Sequence, residues 1–264
     1  MPHPRRNGPA TPRELGVRRV DAHTYVVAGS DVNWVIVRDG NAATLIDTGY
    51  PHDHDRVLAS LAAVGVAPEE VVAVLVTHAH VDHLGAAERL RSRYGTPVLT
   101  HPEEVPHARR DFLDQATLGQ IAARAWRPAV LSWAVRAVRA GATVDVPVAE
   151  PRPFPRSGRL DLPGGPLPVH TPGHTRGHCS YLLPDSGVLV SGDALVTAHP
   201  TSRARGPQLL PGMFHADRDR ALRSLAVLEA LDSEWLLPGH GPALRISARA
   251  AVARARATSR SPRL

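Results

Sequence analysis

Short apolar runs with strand-like spacing open the patterned part of the chain. Residues 25–27, 34–37 and 44–46 are such runs, and the turn sequences Ala28-Gly29-Ser30-Asp31 and Arg38-Asp39-Gly40-Asn41 separate them. This predicts a β-meander opening a sheet. The period then changes. Val57, Leu58, Leu61 and Val64 fall at helical spacing within 54–64, and Gly65 supplies the stop. Residues 71–76 are continuously apolar, the pattern of a buried strand, and they run directly into Thr77-His78. A helix over 85–94 and a strand over 97–100 follow. Residues 103–141 read as helical throughout, with Phe112, Leu113, Leu118, Ile121, Trp126, Leu131, Trp133 and Val138 interrupted by Pro128. They predict an inserted pair of helices, and aromatics on such an excursion suit a cap over a substrate pocket. Strand signals resume at 143–146, 167–170, 180–183 and 188–191, followed by a helix over 216–231, a short strand at 236–237 and a last helix over 246–257. Strand–helix alternation thus occurs twice, each time with a meander. The expectation is an α/β fold of two βα halves around one core, spanning 15–257, with a disordered leader at 1–14 and a disordered tail at 258–264.

Composition changes this picture little. Of 264 residues, 43% are hydrophobic and 21% charged, which is ordinary for a chain that buries its own core. The formal charge of +6 raises the question of a nucleic-acid partner. The arginines that produce it are scattered, and no compact basic stripe carries interleaved aromatics, so no such partner is expected. The Arg-rich stretch from Arg245 to Arg263 reads as a solvated helix that frays. Cys179 is the one cysteine, which precludes an internal disulfide and agrees with a reducing compartment. Residues 1–11 hold no apolar core of a secretory signal, and no run approaches the ~18 apolar residues of a spanning helix. The expected setting is cytoplasmic, with a small-molecule substrate and no membrane.

Candidate chemistry is concentrated in four places. Thr77-His78-Ala79-His80-Val81-Asp82-His83 packs three imidazoles and a carboxylate behind a buried strand. Alternation at the strand end puts His78 and His80 on one side, and Asp82 and His83 project from the turn opening the next helix. Thr171-Pro172-Gly173-His174, Ser191-Gly192-Asp193 and Pro238-Gly239-His240 each place one further ligand-type residue on a loop leaving a strand. Such loops carry side chains from a rigid scaffold to a common edge. Imidazole with carboxylate suits zinc, iron or manganese. No nucleophile elbow, phosphate loop or dinucleotide fingerprint competes.

With these residues in this order, together with the Asp47-Thr48-Gly49 turn after the first strands, the sequence resembles the metallo-β-lactamase superfamily from the meander to His240. The resemblance implies an αββα sandwich with two divalent metal ions, zinc foremost and manganese or iron as alternatives, at one edge of two facing sheets. It assigns His78, His80 and His174 to the first ion, Asp82, His83 and His240 to the second, and Asp193 to a bridge between them. Asp47 becomes a residue that orients ligands. The implied reaction is hydrolysis by hydroxide generated from metal-bound water, whose pKa falls from ~15.7 to about 7, with Asp82 orienting the nucleophile and helping to return a proton.

A carboxylate at 193, where the antibiotic-degrading branches carry Cys or Ser, argues against β-lactams. The full ligand set is similar to the glyoxalase II-like thioesterases and the lactonases. Acyl or thioester hydrolysis is therefore expected first, lactone hydrolysis second and phosphodiester cleavage third. A mononuclear iron persulfide dioxygenase, which needs only His78, His174 and Asp193, and a fold that has lost activity are the readings of other classes. Among the remaining histidines, His178 is a candidate support for the ligands, and His199 and His215 are candidate pocket residues. His3, His23, His52, His54, His101, His107 and His170 read as solvated.

Overall fold

The period-two runs become two β-sheets whose facing sides share one apolar layer. The computed structural model describes residues 11–155 and 157–260. The first sheet holds β1 (Val17–Arg19), β2 (Thr24–Ala28), β3 (Asn33–Asp39), β4 (Ala42–Ile46), β5 (Val71–Leu75), β6 (Val98–Thr100) and β7 (Arg152–Pro153) in that spatial order. β1 to β4 form the antiparallel meander, and β4 to β7 are parallel. The second sheet comprises β8 (Leu167–His170), β9 (Cys179–Leu183), β10 (Val188–Gly192), β11 (Trp235–Pro238) and β12 (Leu244–Arg245), with only β10 and β11 parallel.

Alternation along each strand divides the core into layers. Val35, Val37, Ile46 and Leu75 of the first sheet meet Tyr181, Leu183, Val188, Val190 and Leu237 of the second. The opposite face of the first sheet, with Trp34, Ile36, Leu45 and Val74, packs against α1 (His54–Ala63), the single turn α2 (Val81–Leu84) and α3 (Ala87–Tyr94). Between them and the final helices come α4 (Val105–Ala108), α5 (Leu118–Ala122) and α6 (Pro128–Ala140). The outer face of the second sheet, with Val169, Leu189 and Leu236, packs against α7 (Arg218–Glu229) and α8 (Ala248–Arg260). The result is the expected αββα sandwich.

Four local expectations are corrected. Residues 103–141 form three helices, not a continuous helical pair. Arg110 adopts a positive φ of 68°, which stops α4, and Thr117 starts α5 afresh by accepting from Gln120 N. The helix expected over 85–94 is α3, which begins at Ala87, and Asp82 and His83 stand on the separate single turn α2 just before it. Residues 143–146 are not a strand. Gly141 ends α6 in the left-handed region, and the chain then turns with Val144 facing solvent. The last helix reaches Arg260, so residues 258–260 of the expected disordered tail are helical, and 261–264 lie outside the described residues. Of the expected leader, 1–10 lie outside as well, while Thr11 to Glu14 form a turn in which Thr11 N donates to Glu14 Oε2 at 2.8 Å. Among the described residues no helix is long and apolar enough to cross a membrane.

α6 docks its Trp133, Ala137 and Ala140 on Val32 and Tyr50, forming a fourth apolar cluster beside the sheet ends. This is the excursion predicted as a cap, and it lies next to the loops that carry the histidines.

The layer assignment makes a paired prediction on β5. Leu75 is fully buried between the sheets, whereas its strand neighbour Val72 is 40% exposed. Leu75→Ala should cost about 2–5 kcal/mol in denaturant unfolding, and Val72→Ala no more than about 0.5 kcal/mol. Equal losses would contradict the layering.

Candidate metal centre

All seven sequence-predicted ligands meet at the ends of β5, β9, β10 and β11. His78 and His80 leave β5, Asp82 and His83 stand on α2, His174 lies between β8 and β9, Asp193 follows β10, and His240 follows β11. Two triads of potential donor atoms result, His78/His80/His174 and Asp82/His83/His240, and each keeps its atoms within 4.8 Å of one another.

The hydrogen bonds around the rings decide where their protons sit. Thr77 Oγ1 donates to Asp47 Oδ2 at 2.8 Å, so it can only accept from His78 Nδ1 at 3.0 Å. The Asp114 carbonyl accepts from His80 Nε2 at 2.7 Å. Burial, and then the neighbouring imidazoles, push His78 well below the usual histidine range; burial and the nearby His107 lower His80. Both rings are therefore neutral, with the proton on the outward nitrogen. His78 Nε2 and His80 Nδ1 then face each other at 3.0 Å as two bare lone pairs. His174 Nε2 lies 3.1 and 3.0 Å from the same two atoms. Three nitrogens in mutual contact cannot all be paired by protons, because a contact needs one donor and one acceptor and the ring of contacts is odd. A cation accepting all three lone pairs satisfies every one of them, so the residues fit a metal ion.

The second triad is strained in a different way. Asp47 Oδ2 accepts from His83 Nδ1 at 2.8 Å, and the Asp31 carbonyl accepts from His240 Nδ1 at 2.6 Å. Both rings thus aim Nε2 inward. His83 Nε2 and Asp193 Oδ1 are buried with no hydrogen-bond partner and stand 3.6 Å apart, beyond a useful hydrogen bond. Burial opposes a charge on His83, but Asp47, Asp193 and Asp82 outweigh it and raise its pKa to about 10. His240 is raised as well, since Asp193 and Asp82 overcome its burial. Asp193 is held well below the carboxylate range in spite of burial, by His240, His83 and His174. Without cations, protons supply the positive charge that this site demands.

Asp193 lies between the triads. Its Oδ2 is 3.4 Å from His174 Nε2 on one side and 3.2 Å from His240 Nε2 on the other. The backbone makes room for it: a Cβ at Gly239 would run into Asp193 Oδ1 and His83 Cε1, and Gly192 takes a left-handed φ of 49° to turn the carboxylate inward. His178, expected as a support, is one. Its Nε2 accepts from the Asp193 backbone N at 3.0 Å, and its Nδ1 donates to Thr171 Oγ1 at 2.9 Å. Burial pushes its pKa down to about 3, which keeps this relay neutral. His199 and His215 are held neutral in the same way, at about 3 and about 4, and their rings lie 5.1 Å from His240 and 5.3 Å from His174.

Sequence reading missed the residues that hold the loops together. Glu104, 1% exposed, accepts four hydrogen bonds: from Ala79 N and His107 Nδ1 on one oxygen, and from Thr175 Oγ1 and Gly177 N on the other. It ties the loop of His78 and His80 to that of His174. Burial alone would raise its pKa, but these donors lower it. His107, read as solvated, is fully buried; it links Glu104 to Asp114 N, whose carbonyl fixes His80. His54, also read as solvated, is buried. Asn33 holds the His240 loop through Pro238 O and Gly241 O at 2.9 and 2.7 Å. Tyr50, directly after the Asp47 turn, lines the cavity above Asp82 and Asp193.

Residues 27–240 match the sequence model of the Metallo-beta-lactamase superfamily. A protein of Bacillus subtilis named a probable metallo-hydrolase is 28% identical over 208 residues, which are 75% of this chain and 74% of that protein. Among solved structures, a metallo-beta-lactamase family protein from Thermus thermophilus superposes with a TM-score of 0.64 at 22% identity, covering 91% of this chain and 80% of its own. A protein crystallised in a di-iron-bound form is 29% identical with a TM-score of 0.56, and the match covers 83% of this chain and 92% of that one.

The hydrogen bonds around the centre make two predictions. In Glu104→Gln, an amide group must face two N–H or O–H donors whichever way it turns, so cation affinity in chelator competition should fall ~10–100-fold; unchanged affinity would remove Glu104 from its clamping role. Cation uptake by the protein stripped of metal should release protons, because His83 and His240 must each lose one to offer Nε2. With His83 at about 10, apparent affinity should climb as pH rises toward that value; uptake that is independent of pH and releases no proton would contradict the charge balance described.

Proposed function

The chain belongs to the metallo-β-lactamase superfamily, and on that premise we propose that it is a metal-dependent hydrolase of ester or thioester bonds that uses two divalent cations. Asp193 carries this reading. One carboxylate oxygen within 3.4 Å of a nitrogen from each triad is the arrangement of a shared ligand. His78, His80 and His174 would hold one ion, Asp82, His83 and His240 the other, and Asp193 both. All donors are imidazole or carboxylate, which suits zinc, with iron or manganese as alternatives. The di-iron form of a 29% identical protein makes iron worth testing beside zinc.

Bound there, the cations would acidify a water molecule and polarise the carbonyl under attack. The chain's own residues do the rest. Asp82 Oδ2, 3.5 Å from His240 Nε2 and 3.9 Å from His83 Nε2, stands at the cavity floor, where it can accept the proton of the attacking water and return it to the leaving group. Tyr50 stays a phenol, since burial and then Asp82, Asp31, Asp193 and Asp53 all push its pKa well up; it is available as a neutral hydrogen-bond donor. Trp133 and Phe214 cover the same cavity and limit the water that reaches it.

A single-iron dioxygenase would need only His78, His174 and Asp193. Here the second triad is supported as fully as the first, His83 by Asp47 and His240 by the Asp31 carbonyl, and that favours two cations.

The test is metal content by plasma mass spectrometry beside a panel of thioester, ester, lactone and phosphodiester substrates. Two equivalents of metal and chelator-sensitive cleavage of thioesters or esters are expected. Asp193→Ala should lower turnover by more than the ~10–100-fold typical of a residue that only supports a ligand, and should loosen at least one metal. One equivalent of iron with oxygen uptake on a persulfide, or cleavage of phosphodiesters alone, would overturn the proposal.

A further inference from the structure

The centre forms the floor of a cavity of about 470 Å³, within the range of small-molecule sites. His80, Asp82, His174, Asp193 and His240 contribute to that floor. Everything above it is neutral. The walls come mainly from the excursion expected to be a cap, through Ile121, Trp133 and Ala137, with Phe214 edge-on to Trp133. Tyr50, Gln115, Thr117, Thr143 and the neutral His199 are the uncharged polar residues of the lining above the floor. All 31 basic residues of this chain are arginine, and among the described residues none of them lines the cavity. Arg18 and Arg205 line a neighbouring groove of about 690 Å³, which shares His199 with the cavity and touches none of the seven ligand residues.

Further apolar side chains of the lining are wet. Leu113, Leu118 and Val138 are 58%, 77% and 53% exposed. An apolar surface that is open to water and continuous with a polar reaction centre has its most economical explanation in an apolar occupant. An anionic arm of a substrate, such as a phosphate or a peptide carboxylate, would find no counter-charge in these walls.

We infer that this cavity binds the unbranched, uncharged hydrocarbon chain of an acyl substrate, with the scissile carbonyl at the centre and the chain running under α5 and α6 toward Leu118. The inference rests on the acyl-hydrolase reading for the direction of the chain, but the cavity's preference for a neutral chain can be tested without turnover.

The experiment is calorimetric titration of the holoprotein with methyl ketones from butanone to dodecanone, which are neutral and not hydrolysed. Affinity should rise roughly 3–4-fold per added methylene until the cavity is filled. A long ketone carrying a terminal ammonium should bind at least ten-fold more weakly than its uncharged counterpart, because the walls leave its charge unpaired and the cations at the floor would repel it. Ala137→Trp should truncate the series by filling the cavity. Leu118→Glu, at an exposed position at the start of α5, should weaken only the longer ketones. A flat series, or equal binding of the ammonium ketone, overturns the inference. A matching series of thioesters separates it from the function beneath it. Hydrolysis without chain-length preference sinks the acyl-chain site and leaves the hydrolase standing. Graded ketone binding without hydrolysis of any thioester or ester sustains the site and sinks the hydrolase.

Discussion

Two imidazole lone pairs, His78 Nε2 and His80 Nδ1, are pressed to 3.0 Å inside the protein with no proton between them. In water such a contact would separate or pick up a proton. Here the outward nitrogens hold the rings in place as donors to Thr77 Oγ1 and the Asp114 carbonyl, and burial opposes the charge that a further proton would bring. The rest of the site follows from that constraint. The third ring, His174, completes a set of contacts that protons cannot satisfy, and Asp193 brings negative charge to its edge. A divalent cation would remove the conflict, and a second one would remove the matching deficit between His83 and Asp193.

The fold exists, in this view, to hold that conflict in place. Two sheets share a dry layer, so the ends of their central strands are rigid, and the ligand loops leave from those ends. An outer ring of acceptors then sets the orientation of His78, His80, His83 and His240. Asp47 serves His83 directly and His78 through Thr77, Glu104 joins the first two histidine loops, and the Asp31 carbonyl fixes His240. The cavity walls above are of opposite character, apolar and uncharged, so polar chemistry is confined to the floor.

How much of this could be read from the sequence depends on how local the cause is. The sandwich was legible because alternation in β3, β4, β10 and β11 sorts residues between layers with period two, and the ligands were legible because each follows an apolar run or sits in a Gly/Pro turn. Glu104 was not. Its four partners come from segments as far away as Gly177, and an acid between prolines looks like any surface turn. His107 was misjudged for the same reason, since only the fold reveals what buries it. Residues 143–146 have β-branched composition but follow a left-handed Gly141 that ends α6 and leaves them without a strand to pair with. The excursion over 103–141 reads as a pair of helices, and its division into three was hidden because its apolar positions serve a cavity wall rather than a continuous packing face.

Anomalous diffraction at the metal edge from crystals of the holoprotein measures directly where cations bind at this centre. Two peaks are predicted, one among His78, His80 and His174 and one among Asp82, His83 and His240, with the Asp193 carboxylate between them. A single peak, or a second one away from His83 and His240, would contradict the two-cation centre.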